Sequence, residues 1–189
     1  MTLDTAVLTL VEAGDLRGAA TEAIRGLGPQ VLRYLHSVLR DEDDAADAFS
    51  QFAENLWNGL PTFQKQSSLR TWAYRIAWNA ALNLRNEAWN RRGRPFATGE
   101  LSLLADEIRT RTVVRRARQE DALENLRRSL TVEEQSLLAL RIDQALSWAE
   151  VAEVMAAEGQ PVQPATLMKR FERLKTRLAE MAREQGLVE

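Results

Sequence analysis

Apolar residues recur at spacings of three and four along almost the whole chain, which is the pattern of helices that bury one face. Glycine and proline interrupt it rarely, with 9 and 5 among 189 residues. We therefore predict an all-α protein. In chain order, the predicted helices are Leu3–Glu12, Leu16–Leu27, Pro29–Arg40, Asp43–Asn58, Leu69–Trp89, Val132–Gln144, Trp148–Ala157 and Pro164–Arg183.

Residues 90–119 differ from the rest of the chain because they lack a sustained apolar stripe and include the sequence RRGRP at positions 91–95. A segment of this kind is typical of a linker. The pattern therefore predicts two small helical domains, residues 1–92 and 120–189, joined by a flexible linker at residues 93–119.

Two capping boxes mark helix starts in the second domain. Thr131 precedes Glu134 by three residues, and Ser147 precedes Glu150 in the same way. In this motif the hydroxyl and the carboxylate each bind a free amide at the start of a helix. A capped helix, a turn and a helix that begins at Pro164 together predict a helix-turn-helix.

Composition narrows the function. The chain has no cysteine and one histidine, so disulfides, thiolate metal sites and imidazole catalysis are not expected, and we assign His36 a structural role. We expect no enzyme, no catalytic residue and no cofactor. No apolar run is long enough to span a bilayer and no signal peptide is recognisable, so the expected location is cytoplasmic, without membrane insertion.

The formal net charge is −2, but the charge is unevenly placed. Residues 41–47 hold five acids and no base, whereas residues 69–94 and 169–177 are rich in arginine and lysine. This distribution indicates different partners for different faces.

The last predicted helix has an apolar stripe and a basic side. The stripe comprises Leu167, Phe171, Leu174, Leu178 and Met181. The other side can contact phosphates and base edges in a major groove, with a solvated basic face as the alternative. Its candidate DNA-binding residues are Thr166, Lys169, Arg170, Arg173 and Arg177.

The helix Leu69–Trp89 combines an apolar face with a face suited to unpaired bases. We place Leu69, Trp72, Ala73, Ile76 and Ala80 toward the core. The polar face comprises Arg75, Asn79, Asn83 and Asn86. Three aromatic residues offer stacking surfaces or, alternatively, belong to the core: Tyr74, Trp78 and Trp89.

The acidic helix Asp43–Asn58 is predicted to bury Phe49, Phe52, Ala53 and Leu56. Its exposed side carries Asp43, Asp47, Gln51, Glu54 and Asn58. Paired acids also occur in metal and acid-base enzymes, but no glycine-rich phosphate loop, catalytic histidine or second acidic cluster accompanies them. A basic surface on a protein partner is the better interpretation.

The order of these motifs resembles the extracytoplasmic-function group of bacterial sigma factors across nearly the whole chain. The resemblance rests on DAAD at residues 44–47 with Trp57, and on SSLRTWAYRIAWN at residues 67–79. A weaker match covers LLALR at residues 137–141 and LSWAEVA at residues 146–152. It implies a sigma domain two and a helix-turn-helix sigma domain four.

The resemblance also implies a role for each face. The acidic helix would bind the β′ clamp of core RNA polymerase through Asp44, Asp47, Gln51 and Glu54. The loop at residues 59–68 would capture a flipped base of the minus-ten element, with the strand contacted by Ser67, Arg70, Arg75, Asn79 and Asn83. The helix from Pro164 would read the minus-thirty-five element of promoter DNA. The polymerase β flap and an anti-sigma factor are further implied partners.

The acidic helix departs from the family pattern. Ser50, Gln51 and Ala53 stand where the family usually has Gln, Glu and an aromatic residue, and Ala46 replaces a common acid. We hypothesise that a regulatory kinase phosphorylates Ser50 and so restores negative charge. Two other interpretations of the chain stay open: a stand-alone helix-turn-helix regulator, and a helical adaptor protein.

Overall fold

The computed structural model describes residues 2–63, 66–88, 129–156 and 161–184 of the chain. Every regular element in these ranges is helical, which confirms the all-α prediction. The chain divides into two compact units, Met1–Arg116 (unit 1) and Ala117–Glu189 (unit 2). The predicted linker lies outside the described residues, and the predicted domain boundaries stay predictions.

The described part of unit 1 is built from α1 (Leu3–Glu12), α2 (Leu16–Leu39), α3 (Glu42–Gly59) and α4 (Leu69–Ala88), with a short 3-10 turn at Leu60–Thr62. Helix α1 packs on α2, while α2, α3 and α4 pack on one another. The predicted apolar face of α3 is buried, as are most of the apolar residues of α2. Burying one large apolar side chain stabilises a fold by about 1.5–3 kcal/mol, so these shared faces hold unit 1 together.

Helix α2 corrects one prediction. We predicted two helices separated at Gly28 and Pro29, but the structure has a single helix with Pro29 inside it. Proline removes one helical hydrogen bond and costs about 3 kcal/mol. The buried stripe continues on both sides of it, from Ile24 and Leu27 to Val31 and Leu35, so packing outweighs that cost.

The described part of unit 2 contains α5 (Val132–Leu138), a π-helical turn (Ala139–Asp143), α6 (Trp148–Met155) and α7 (Pro164–Glu184). All three helices begin where the sequence predicted. Helix α7 packs on α5 and α6 and buries Leu167, Phe171 and Leu174. The remaining two residues of its predicted stripe, Leu178 and Met181, are only half-buried.

The corner between the π-helical turn and α6 is held by polar and aromatic contacts. Arg141 Nη1 donates a hydrogen bond to the Leu146 carbonyl at 2.8 Å, and the guanidinium carbon lies 5.1 Å from the centre of the Trp148 ring. Ala145, between them, has a φ of 52°, in the left-handed region. Trp148 in turn meets Phe171 of α7 edge to face, with ring centres 5.4 Å apart.

Candidate functional site

The acidic face lies on α3, whose start is fixed by Asp41. The Asp41 side chain accepts a hydrogen bond from the Asp44 amide at 2.9 Å. Asp47 and Glu54 are exposed and Asp44 and Gln51 are half-buried, on the side of α3 away from the core. The structure therefore brings the four predicted polymerase-binding residues onto one face.

The acids on this face repel one another. Partial burial raises the pKa of Asp44, and the negative charges of Asp41, Asp47 and Asp43 raise it further. A basic partner surface would offset the charge-charge part of this penalty. The electrostatics of α3 thus favour a cationic protein over a nucleic acid.

Ser50, the predicted phosphorylation site, is half-buried on α3. Its hydroxyl donates a hydrogen bond to the Ala46 carbonyl at 3.0 Å, one helical turn earlier. Its phosphorylation stays a prediction.

The start of α4 is fixed from two directions. Ser68 Oγ accepts a hydrogen bond from the Thr71 amide at 3.0 Å, which is ordinary helix capping. In addition, Asp4 of α1 accepts one from the Leu69 amide at 3.2 Å. Asp4 could not be identified from the sequence, because no local pattern relates a residue in α1 to a helix that begins 65 positions later.

Arg75, Asn79 and Asn83 follow one another at intervals of one helical turn and form a polar stripe on α4. Arg75 and Asn83 are exposed and Asn79 is half-buried. Arg70 lies elsewhere on the helix, with its guanidinium carbon 5.9 Å from the centre of the Tyr74 ring. The structure thus groups three of the predicted minus-ten residues and places Arg70 apart, while Ser67 lies half-buried just before α4.

The structure decides between the two interpretations of the aromatic residues of α4. Tyr74 and Trp78 are 0% and 3% exposed, so they belong to the core and are not stacking surfaces. Trp72, which we assigned to the core, is half-buried and packs against Phe63 with ring centres 4.8 Å apart. The burial of each ring depends on neighbouring helices, which a helical pattern does not identify. Trp89 and the side chain of Asn86 lie outside the described residues.

The second candidate surface is the exposed side of α7, in the helix-turn-helix of unit 2. Both predicted capping boxes form, with hydrogen bonds of 2.9 and 3.2 Å between Thr131 and Glu134 and of 2.8 and 3.3 Å between Ser147 and Glu150. They fix the starts of α5 and α6. The exposed residues of α7 include the predicted Thr166, Lys169, Arg170 and Arg173.

Arg177 differs from the other predicted residues of α7. Its Nη2 donates a hydrogen bond to Glu134 Oε2 at 2.7 Å, which ties α7 to α5. Burial of Glu134 acts to raise the pKa of this carboxyl, but hydrogen bonds from Arg177 and Thr131 outweigh it and lower the pKa. Arg177 therefore has a structural role whatever else it contacts.

The described residues also bear on metal sites and membrane spans. Among the described residues, no group of three or more His, Asp or Glu side chains is arranged to hold a metal ion. None of the described helices has the length and apolar character required to span a membrane.

Comparison with known proteins now identifies the class of unit 1. Residues 23–91 match the family model of sigma-70 region 2, a span that includes the acidic face of α3 and the polar stripe of α4. The chain is also similar to the RNA polymerase sigma factor YlaC of Bacillus subtilis (strain 168), with 29% identity over 146 residues, 74% of this chain and 80% of the relative. That alignment is longer than either compact unit, so it extends into both.

These findings confirm the resemblance seen in the sequence. Unit 1 contains a match to sigma-70 region 2, and the chain as a whole is similar to an RNA polymerase sigma factor.

Proposed function

We propose that this chain binds core RNA polymerase, recognises a promoter at two separate elements and promotes opening of the DNA strands. The observation that carries the proposal is the division of charge in unit 1, with exposed acids on α3 and the stripe Arg75, Asn79 and Asn83 on α4. Because DNA is a polyanion, a surface like that of α3 is repelled by it and suits a basic protein. The stripe on α4 suits nucleic acid.

The acidic face of α3 would bind the clamp helices of the polymerase β′ subunit through Asp44, Asp47, Gln51 and Glu54. This role is supported by the exposure of Asp47 and Glu54 and by the partial exposure of Asp44 and Gln51. So does the raised pKa of Asp44, because a cationic partner removes a repulsion that the free protein carries. Unit 2 would contact the polymerase β flap.

The stripe on α4 and the residues that precede it would hold the opened minus-ten element. Arg75 would contact phosphates, while Asn79 and Asn83 would bind base edges that pairing no longer occupies. Ser67 and Arg70 would contact the strand at the start of the helix. Trp72 and Phe63 add a half-buried aromatic surface nearby.

Opening in this scheme needs no catalysis by the chain. Separating the strands costs about 1.4 kcal/mol for each base-pair step, whereas one base stacked on an aromatic side chain recovers about 1–3 kcal/mol. Capturing a few bases is therefore enough to shift the equilibrium toward open DNA.

Helix α7 would read the minus-thirty-five element as the second helix of a helix-turn-helix. Thr166, Lys169, Arg170 and Arg173 are exposed along it. Arg177 would contribute at the edge of this surface, because Glu134 already binds its guanidinium. A sigma domain four is thus the proposed identity of unit 2, and the bacterial cytoplasm is the proposed place of action.

Run-off transcription from fragmented bacterial genomic DNA tests the proposal, with core RNA polymerase in the presence and absence of the protein. We expect discrete new transcripts. The double variant Arg75→Ala, Asn79→Ala should lose them, while Arg25→Ala, which removes an exposed arginine of α2, should keep them. Both variants should bind core polymerase as the unchanged protein does.

Other outcomes would favour the other interpretations. A protein that shifts duplex DNA alone, without binding core polymerase or producing transcripts, would be a stand-alone regulator. If the chain bound another protein with an affinity that does not depend on salt, and had no effect on DNA, it would be a helical adaptor.

A further inference from the structure

Met168 is an exposed apolar residue in the middle of a basic surface. It is 45% exposed on α7, directly before Lys169 and Arg170. Among the described residues, the other large apolar side chain with comparable exposure is Ile142, at 61%, in the π-helical turn. A single exposed apolar side chain is common, so the exposure of Met168 alone indicates nothing. The position of Met168 on α7 is what suggests a function.

Helix α7 buries Leu167 and Phe171 in its first two turns, and these contacts fix which side faces outward. Ala165, Thr166 and Met168 lie on the outward side together with Lys169 and Arg170. The first turns of the second helix in a helix-turn-helix are the part that reaches base edges. Met168 is therefore placed to contact bases, whereas Ile142 lies outside α7.

The major groove presents one strongly apolar group, the C5-methyl of thymine. Methionine is unbranched and its thioether is polarisable, so it adapts to a small apolar target more easily than a branched side chain does. The cations beside Met168 supply attraction to the phosphates but cannot recognise a methyl group.

We propose that Met168 reads the methyl group of a thymine in the minus-thirty-five element and so contributes to promoter specificity. This inference rests on the proposed function, since it requires α7 to enter the major groove. It assigns to Met168 a role distinct from that of the neighbouring cations.

Replacing thymine by deoxyuridine tests the proposal, because it removes the methyl group and leaves the hydrogen-bonding groups of the base unchanged. The probe is promoter DNA recovered from run-off transcription, with each thymine of the minus-thirty-five element replaced in turn. Binding of the complex with core polymerase is measured. At one position we expect deoxyuridine to weaken binding about fourfold, the effect of withdrawing one methyl group from an apolar contact.

The variants then assign the effect to a residue. In Met168→Ala the difference between thymine and deoxyuridine should disappear, while Met168→Leu should retain most of it. Ile142→Ala is the matched control and should retain it fully. Because Met168 and Ile142 are both exposed, circular dichroism should show unchanged folding in all three variants.

Two results would overturn the inference: equal binding of thymine and deoxyuridine at every position, or an unchanged difference in Met168→Ala. Failure of the proposed function is recognised separately with the double variant Lys169→Ala, Arg170→Ala. If that variant binds promoters as well as the unchanged protein, α7 does not read DNA and both proposals fail. If it binds weakly while the methyl group has no effect, only the role of Met168 is rejected.

Discussion

The large, fully buried side chains of unit 1 include the aromatic residues Phe49, Phe52, Tyr34 and Tyr74, whereas those in the described part of unit 2 are aliphatic and include Leu140, Leu146 and Leu167. The smaller side chains of this core are accompanied by polar contacts: two capping boxes, the bond from Arg141 to Leu146, and the ion pair between Arg177 and Glu134. Both units have polar helix caps, so the aromatic core is the feature that sets unit 1 apart. The two units should therefore respond differently to substitution and to pH.

The largest effect is expected from the core of unit 1. Phe52 is 0% exposed and lies against Phe49, with ring centres 5.6 Å apart. Phe52→Ala removes this burial and leaves a cavity, so the free energy of unfolding of unit 1 should fall by about 3–5 kcal/mol. Hydrogen exchange of the amides of α2 and α3 measures it. Asn55→Ala, at an exposed position of α3, is the control and should change little; a similar loss in both variants would contradict the core assignment.

A smaller effect is expected from the caps of unit 2. Ser147→Ala removes the acceptor of the Glu150 amide, and we expect a loss of about 1 kcal/mol in the stability of α6. The exchange rate of the Glu150 amide reports this loss directly. Glu153→Ala changes the same helix outside the capping box and should leave that rate unaltered. An unchanged rate in Ser147→Ala would show that the capping box contributes nothing.

The smallest effect is a difference in pH dependence. The pKa of Glu134 is lowered from its ordinary value of 4.5, so the ionised carboxylate stabilises unit 2 at any pH above 4.5. This stabilisation is lost as the pH falls through the lowered pKa. The pKa of Asp44 is raised, so its effect is opposite: the ionised carboxylate destabilises unit 1 when the pH is above the raised pKa. The destabilisation disappears as the pH falls from the raised pKa to the ordinary value of 3.8. Both groups are partly exposed, so each contribution should be below about 1 kcal/mol.

Denaturation of each unit between about pH 3 and 6 measures this difference, with Glu134→Gln and Asp44→Asn as the variants. Each variant should flatten the pH dependence of its own unit. At neutral pH the stability of unit 2 should fall in Glu134→Gln, whereas that of unit 1 should rise slightly in Asp44→Asn. If both variants changed stability in the same direction, the opposed signs of the two pKa shifts would be wrong.

The same contrast explains which features the sequence could predict. Capping boxes are contained within four residues, so Thr131 and Ser147 marked the starts of α5 and α6 correctly. The period of apolar residues likewise identified the buried faces of α3 and of the first turns of α7. Both signals are local, and the candidate surfaces follow from them because an exposed face is the complement of a buried one.

Features that depend on distant contacts were missed. The sequence near Pro29 does not show that α2 continues past this residue, because the packing that stabilises it involves other helices. The sequence of α4 likewise does not show that Trp78 is more buried than Trp72. The bond from Asp4 to Leu69 joins residues 65 positions apart. Each of these outcomes is decided by a neighbouring helix.

That bond also determines how the protein should be divided for structural work. A fragment that begins at residue 23, where the match to sigma-70 region 2 begins, would lack α1. It would leave the Leu69 amide without Asp4, and would remove Leu3, which packs so closely on Gly26 that an added Cβ there would lie 2.6 Å from the Leu3 side chain. The minimal fragment for crystallisation or for spectroscopy with single-stranded DNA therefore includes α1, because the start of α4 depends on Asp4.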